Sequence, residues 1–169
     1  MFNKEKIKQE VLDYLTEVIE QPRQEFSGFP VCPFAAKDRK LGNLHIDIFD
    51  AESENIADRF VEFDKSPHTI AIYVQFFEPD EMPHEDTKKY QVFLNKLLKH
   101  IGLKHLKVIC FNPNSSLDID GYNPRAQAPY FLISIANKEE LHHAQKSLLK
   151  TKYYDAMDTK YKKYLGVKK

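Results

Sequence analysis

An α+β (or α/β) domain, with helices packed on a sheet of about four strands, is the architecture this sequence predicts. Two patterns carry that expectation. Apolar residues recur at three- and four-residue steps in several long segments, the signature of amphipathic helices. Between them lie short runs of β-branched and aromatic residues, bounded by turn-forming residues. The chain is 169 residues long and shows no repeat, low-complexity tract or linker, so residues 1–169 read as one domain.

From Lys4 to Gln21, Ile7, Val11, Tyr14, Leu15, Val18 and Ile19 share one helical face, and Pro22 stops the helix. Leu44 to Phe49 alternates apolar residues with His45 and Asp47 and reads as a half-buried strand. Asp50 is a candidate cap for a helix carrying Ile56, Ala57, Phe60 and Phe63. Thr69 to Phe77, almost wholly apolar, is the best central strand, covered on both faces. After the acidic turn Glu78–His84, a long helix places Tyr90, Phe93, Leu94, Leu97, Leu98 and Ile101 in its apolar stripe and ends at Gly102. Leu106–Phe111 and Tyr130–Ala136 are further strands. Asn137 and Glu140 resemble a capping box for a helix with Leu141, Ala144 and Leu148. Tyr153 to Leu165 is expected to be a last helix, with Tyr154, Met157, Tyr161 and Tyr164 on one side.

Composition narrows the function classes. Hydrophobic content of 42% with 12% aromatics is that of a globular protein. Formal net charge is zero, which argues against nucleic acid as a partner for the molecule as a whole. The charge is uneven, however: Lys146 to Lys169 holds eight Lys against Asp155 and Asp158, about +6, so the remainder carries about −6. No run approaches the ~18 apolar residues of a membrane helix. The two cysteines, Cys32 and Cys110, fit neither a disulfide framework nor a metal spacing, and a reducing cytoplasm is the expected compartment. No glycine-rich phosphate loop, HExxH pattern or acceptable calcium loop is present, so neither cofactor nor metal is implied; around Gly121 the loop positions that need Asp and Glu hold Ser116 and Gln127. Oligomeric state is not legible.

Two irregular segments are the candidate site. In the first, Cys32-Pro33 would place Cys32 at the N-cap of a turn over Pro33–Asp38, with Lys37, Arg39 and Lys40 close behind. Such surroundings lower a thiol pKa and make Cys32 the candidate catalytic nucleophile; a small packed residue between Phe29 and Phe34 is the plainer explanation. The second segment carries Asn112, Asp118, Asp120, Tyr122, Asn123 and Arg125. Arg125 suits an anionic substrate group, with Asn112, Tyr122 and Asn123 as hydrogen-bonding partners; equally, Arg125 can pin the loop through backbone carbonyls. Cys110 shares a strand face with Leu106 and Val108 and reads as core. His45 with Asp47 reads as a solvated face, and the adjacent His142 and His143 make a poor chelate. The expected activity is a small-molecule enzyme acting on an anionic ligand. The alternative is a non-catalytic module binding protein or nucleic acid through the Lys/Tyr tail.

The motifs also carry a resemblance. Cys32-Pro33-Phe34-Ala35, Phe77-Glu78-Pro79, Tyr90 with Phe93-Leu94, Phe111-Asn112-Pro113, and Asn123-Pro124-Arg125 running on to Pro129-Tyr130 follow one another between residues 29 and 149. In order and spacing they resemble a bacterial domain family of uncharacterised function with CPFA, Phe-His-Pro and Asn-Arg-Ser-Pro-Tyr-Pro motifs. The resemblance makes residues 29–149 the core, flanked by the 1–21 helix and the basic, Tyr-rich 150–169 segment. It implies that Cys32, Asn112 and Arg125 converge in space. Both histidines of the family's His-Pro steps are replaced here, by Glu78 and Asn112, and the Arg–Pro spacing is longer.

Overall fold

The structure is a computed structural model that describes residues 3–119, 121–165 and 167, excepting the side chains of residues 161, 164 and 165. Asp120, Tyr161 and Tyr164, singled out above, therefore lie outside the described residues or side chains. A four-stranded mixed sheet organises the chain. β1 (Leu44–Phe49) runs parallel to β2 (Ile70–Gln75), while β4 (Phe131–Asn137) lies antiparallel to both β2 and β3 (Leu106–Phe111). The order is β1-β2-β4-β3, so β2 is central, as its apolar run predicts, and β3 is an edge.

The period-two alternation of each strand sends side chains to opposite layers. Ala71, Tyr73, Val108, Cys110, Ile133 and Ile135 meet Phe60 and Phe63 of α3 (Ile56–Lys65) and Leu94 and Leu98 of α4 (His84–His100). On the other face, Ile72, Val74 and Leu132 meet Ile7, Val11 and Tyr14 of α1 (Lys4–Tyr14). Each large side chain buried this way stabilises the fold by about 1.5–3 kcal/mol. A third cluster gathers the second irregular segment and the tail: Phe26, Leu117, Ile119, Tyr153, Tyr154 and Met157.

Several local expectations are corrected. Helix α1 passes into a π turn over Leu15–Ile19, two residues short of Gln21. Asp50 caps its own tight turn, its carboxylate accepting from the Glu52 N–H and the Ser53 hydroxyl. Asn55 caps α3 instead, accepting from the Ala57 N–H at 3.0 Å. The short helix α2 covers Ala35–Lys40 with Phe34 at its N-cap, so Cys32 is not the capping residue. The tail begins as turns, in which Tyr153, Tyr154 and Met157 are buried, and only Thr159–Leu165 is helical (α6). Asn137 does cap α5 (Lys138–Leu149), accepting from the Glu139 and Glu140 N–H groups. Among the described residues, no helix is long and apolar enough to cross a membrane.

Candidate functional site

The residues expected to converge line three separate places. Cys32 faces an apolar cavity of about 100 Å³ between α1 and the sheet, alongside Leu15, Ile19, Ile72, Phe111 and Leu132. Its backbone N–H donates to the Ile19 carbonyl at the end of the π turn. Burial pushes the thiol pKa up; the Phe34 and Ala35 N–H groups pull it down, and Asp38 and Glu20 push it further up. The expected low-pKa nucleophile is therefore not what the geometry makes. Arg39, expected to help, is bound to both oxygens of Glu20 at 2.8 Å.

Asn112 is 2% exposed and fully engaged: its amide donates to the Met82 carbonyl (3.0 Å) and Thr87 hydroxyl (2.7 Å), and its oxygen accepts from the Asn114 N–H (2.9 Å). It bolts the start of the second segment to the foot of α4. With Glu78, Pro129 and Tyr130 it lines a cavity of about 170 Å³, so the two positions where the resemblance expects histidines do share one cavity. Tyr122 forms a two-bond bridge with Ile119, and its ring lies 3.8 Å beneath the Arg23 guanidinium. Asn123 donates to the Ser115 carbonyl and accepts from the Ala126 N–H. Tyr122 and Asn123 thus fold their own loop.

Arg125 is 6% exposed. Its Nη1 donates to the Cys110 carbonyl at 2.7 Å, and its guanidinium carbon lies 4.9 Å from the centre of the Phe111 ring. Phe111 also lines the Cys32 cavity, whereas Arg125 lines a different one. The aromatic ring thus lies between thiol and guanidinium, and the expected Cys32–Arg125 pocket is not formed.

The cavity Arg125 does line is a groove of about 340 Å³ over the free edge of β3. One wall is α4, with Lys88, Val92, Lys96 and Lys99; Lys107 and Ile109 of β3 form the floor; Gln145 of α5 and Lys163 of α6 close the far side. Among the described residues no carboxylate lines it, and none makes an ion pair with Lys96, Lys99, Lys107 or Lys163. The Lys107 ammonium has its pKa lowered, by desolvation first and then by Lys88 and Lys138. Beneath the lysines the strand edge is sealed. Asn95 bonds both backbone groups of Val108, Gln91 accepts from the Cys110 N–H at 2.9 Å, and Arg125 takes the Cys110 carbonyl.

Sequence reading missed this groove. Its lysines come from α4, β3 and α6, and each alone reads as a solvated face. The available signal was the spacing of Lys88, Lys96 and Lys99, which puts them on one side of a helix around an exposed Val92. The acids at the other end of the sheet are differently placed. Oxygens of Asp50, Glu54 and Glu81 are occupied by N–H groups of their own loops. Among the described residues, no cluster of three or more His, Cys, Asp or Glu is arranged to hold a metal ion. No protein-family model, curated protein or solved structure matches the chain.

Proposed function

We propose that this chain is a non-catalytic binding module that takes a polyanionic partner along the groove over β3. The supporting observation is the groove's charge: Lys88, Lys96, Lys99, Lys107 and Lys163 surround Arg125 with no carboxylate among the described lining residues. Like charges held together raise one another's energy, and an anion entering the groove relieves that repulsion; the Lys107 pKa is lowered by desolvation first, with Lys88 and Lys138 adding to it. A net charge of zero does not weigh against this reading, because charges segregate within the molecule and the screening length at physiological salt is only about 8 Å.

An enzyme built on a reactive Cys32 has less support. Its thiol pKa is raised, it shares no cavity with Arg125, the side chains of Asn112 and Asn123 are spent on bonds within the fold, and the Tyr122 ring lies against Arg23. The test of the binding reading is retention of a fluorescent polyanion across a salt series. Affinity is expected to fall linearly on logarithmic axes as salt rises. The double variant Lys96→Glu/Lys99→Glu is expected to lose at least about tenfold in affinity, while Lys37→Glu/Lys40→Glu on α2 keeps it. Equal retention by both variants would sink the proposal.

A further inference from the structure

We infer that the polyanion is single-stranded nucleic acid, an inference that rests on the binding reading above and gives its partner a chemical class. Two observations favour nucleic acid over an acidic peptide as the polyanion. The first is the sealed edge. A peptide docking on an exposed strand gains affinity by adding its own backbone to the sheet. Here the outward N–H and C=O of Val108 are both held by Asn95, and those of Cys110 by Gln91 and Arg125. A peptide at that stretch finds no backbone partner, and only charge is left to recognise.

The second is an aromatic shelf beside the groove. Phe93 is 56% exposed and Val92 42%, and both sit among Lys88, Lys89 and Lys96 in an open hollow of about 410 Å³. The Phe93 ring lies nearly parallel to Tyr90, with centroids 6.3 Å apart and an interplanar angle of 14°. Tyr90 is fixed in turn: its hydroxyl donates to Gln75 at 2.8 Å and its ring packs on Phe77 and Phe131. An exposed ring mounted on a rigid second ring is a platform on which an unpaired base stacks at small entropic cost. From Lys88 to Lys99 the helix advances about 16 Å, enough to follow several backbone phosphates. Two of the groove's amides, Asn95 and the Gln91 oxygen, are bound to β3 and are not offered to base edges. Binding is therefore largely indifferent to sequence, and it prefers single strands because a duplex hides its base faces.

Fluorescence anisotropy of the full chain decides this, using oligothymidylate of about 16 nucleotides, a duplex of the same length, inorganic polyphosphate and polyglutamate as probes. The single strand is expected to bind most tightly. Phe93→Ala is expected to weaken it roughly 5- to 100-fold, with Phe93→Trp restoring affinity and polyphosphate binding unmoved. Phe93 is exposed, so this substitution leaves the thermal midpoint in place, which circular dichroism checks. If Phe93→Ala changes nothing while Lys96→Glu/Lys99→Glu still abolishes binding, the polyanion reading stands and the nucleic-acid inference is overturned. Polyglutamate binding as tightly as oligothymidylate also overturns the inference. Failure of all four probes to bind overturns both.

Discussion

Asn95 acts toward Val108 as a neighbouring strand would. Its Nδ2 donates to the Val108 carbonyl at 2.9 Å and its Oδ1 accepts the Val108 N–H at 3.0 Å. One side chain of α4 thereby satisfies both outward groups of an edge strand that would otherwise invite another chain. Asn95→Ala is expected to cost about 1–3 kcal/mol in urea unfolding, because two partly buried backbone groups lose their partners. It should also make the protein scatter light at high concentration. A loss under about 0.5 kcal/mol without association would show that water replaces the amide at no cost.

Arg125 extends the same seal from the loop side. Arg125→Ala is expected to destabilise by about 2–4 kcal/mol, since a charge-assisted bond to Cys110 and the stacking on Phe111 vanish together. Arg125→Lys should recover part of that loss. Normal stability with lost polyanion binding would mean that Arg125 serves the ligand and not the loop.

Lys107 should show the opposite balance. Its desolvated charge, beside Lys88 and Lys138, is disfavoured in the fold. A base with a lowered folded pKa costs stability below that pKa, and the cost disappears as pH rises toward its ordinary 10.5. Lys107→Met is therefore expected to raise the unfolding midpoint at neutral pH and to weaken polyanion binding. A variant that is less stable and binds as before would contradict the account of the groove.

The two cysteines and the tyrosines Tyr73, Tyr90, Tyr130 and Tyr154, all with pKa values raised by burial first, shape the alkaline behaviour. Burial raises the Cys32 pKa from its ordinary 9.0 and pushes Cys110 up to about 12. Tyr73 and Tyr130 are pushed up from 10.0 to about 12, again by burial first. An acid whose folded pKa lies above its unfolded value contributes stability at lower pH and loses it as pH rises through the folded pKa. Urea midpoints should be flat near neutrality and fall from about pH 9 upward, less steeply in Cys110→Ala. Alkylation of Cys32 in the native protein should be slower at pH 8 than that of a free thiol. Fast labelling would reopen thiol chemistry at this site.

The strands were the most legible part of the fold. β1 and β3 have the bounds that their alternation predicts, and the apolar run of β2 marks it as central. Helix α4 shows where hydrophobicity misleads. Its buried side is Thr87, Gln91, Leu94 and Leu98, two polar residues admitted because each finds a hydrogen-bond partner. Phe93 lies about 130° round the helix from the middle of that side, at 100° per residue, and so faces water. Counting apolar residues placed it in the core. Loop bonding was legible only as a possibility: Arg125 pins a carbonyl, as one of its two expected roles required, but sequence could not say which carbonyl. The groove was invisible because charge adds up in space, and its lysines come from α4, β3 and α6, which are separated in sequence.

The central claim is that the face over the β3 edge is where this protein binds. Backbone amide shifts recorded while oligothymidylate is titrated into labelled protein test it most directly. The account predicts changes confined to Lys88–Lys99, Lys107, Ile109 and the neighbourhood of Lys163, saturating together and vanishing in Lys96→Glu/Lys99→Glu. Changes centred instead on Leu15, Ile19 and Cys32, or on Glu78 and Asn112, would place the working site elsewhere and contradict it.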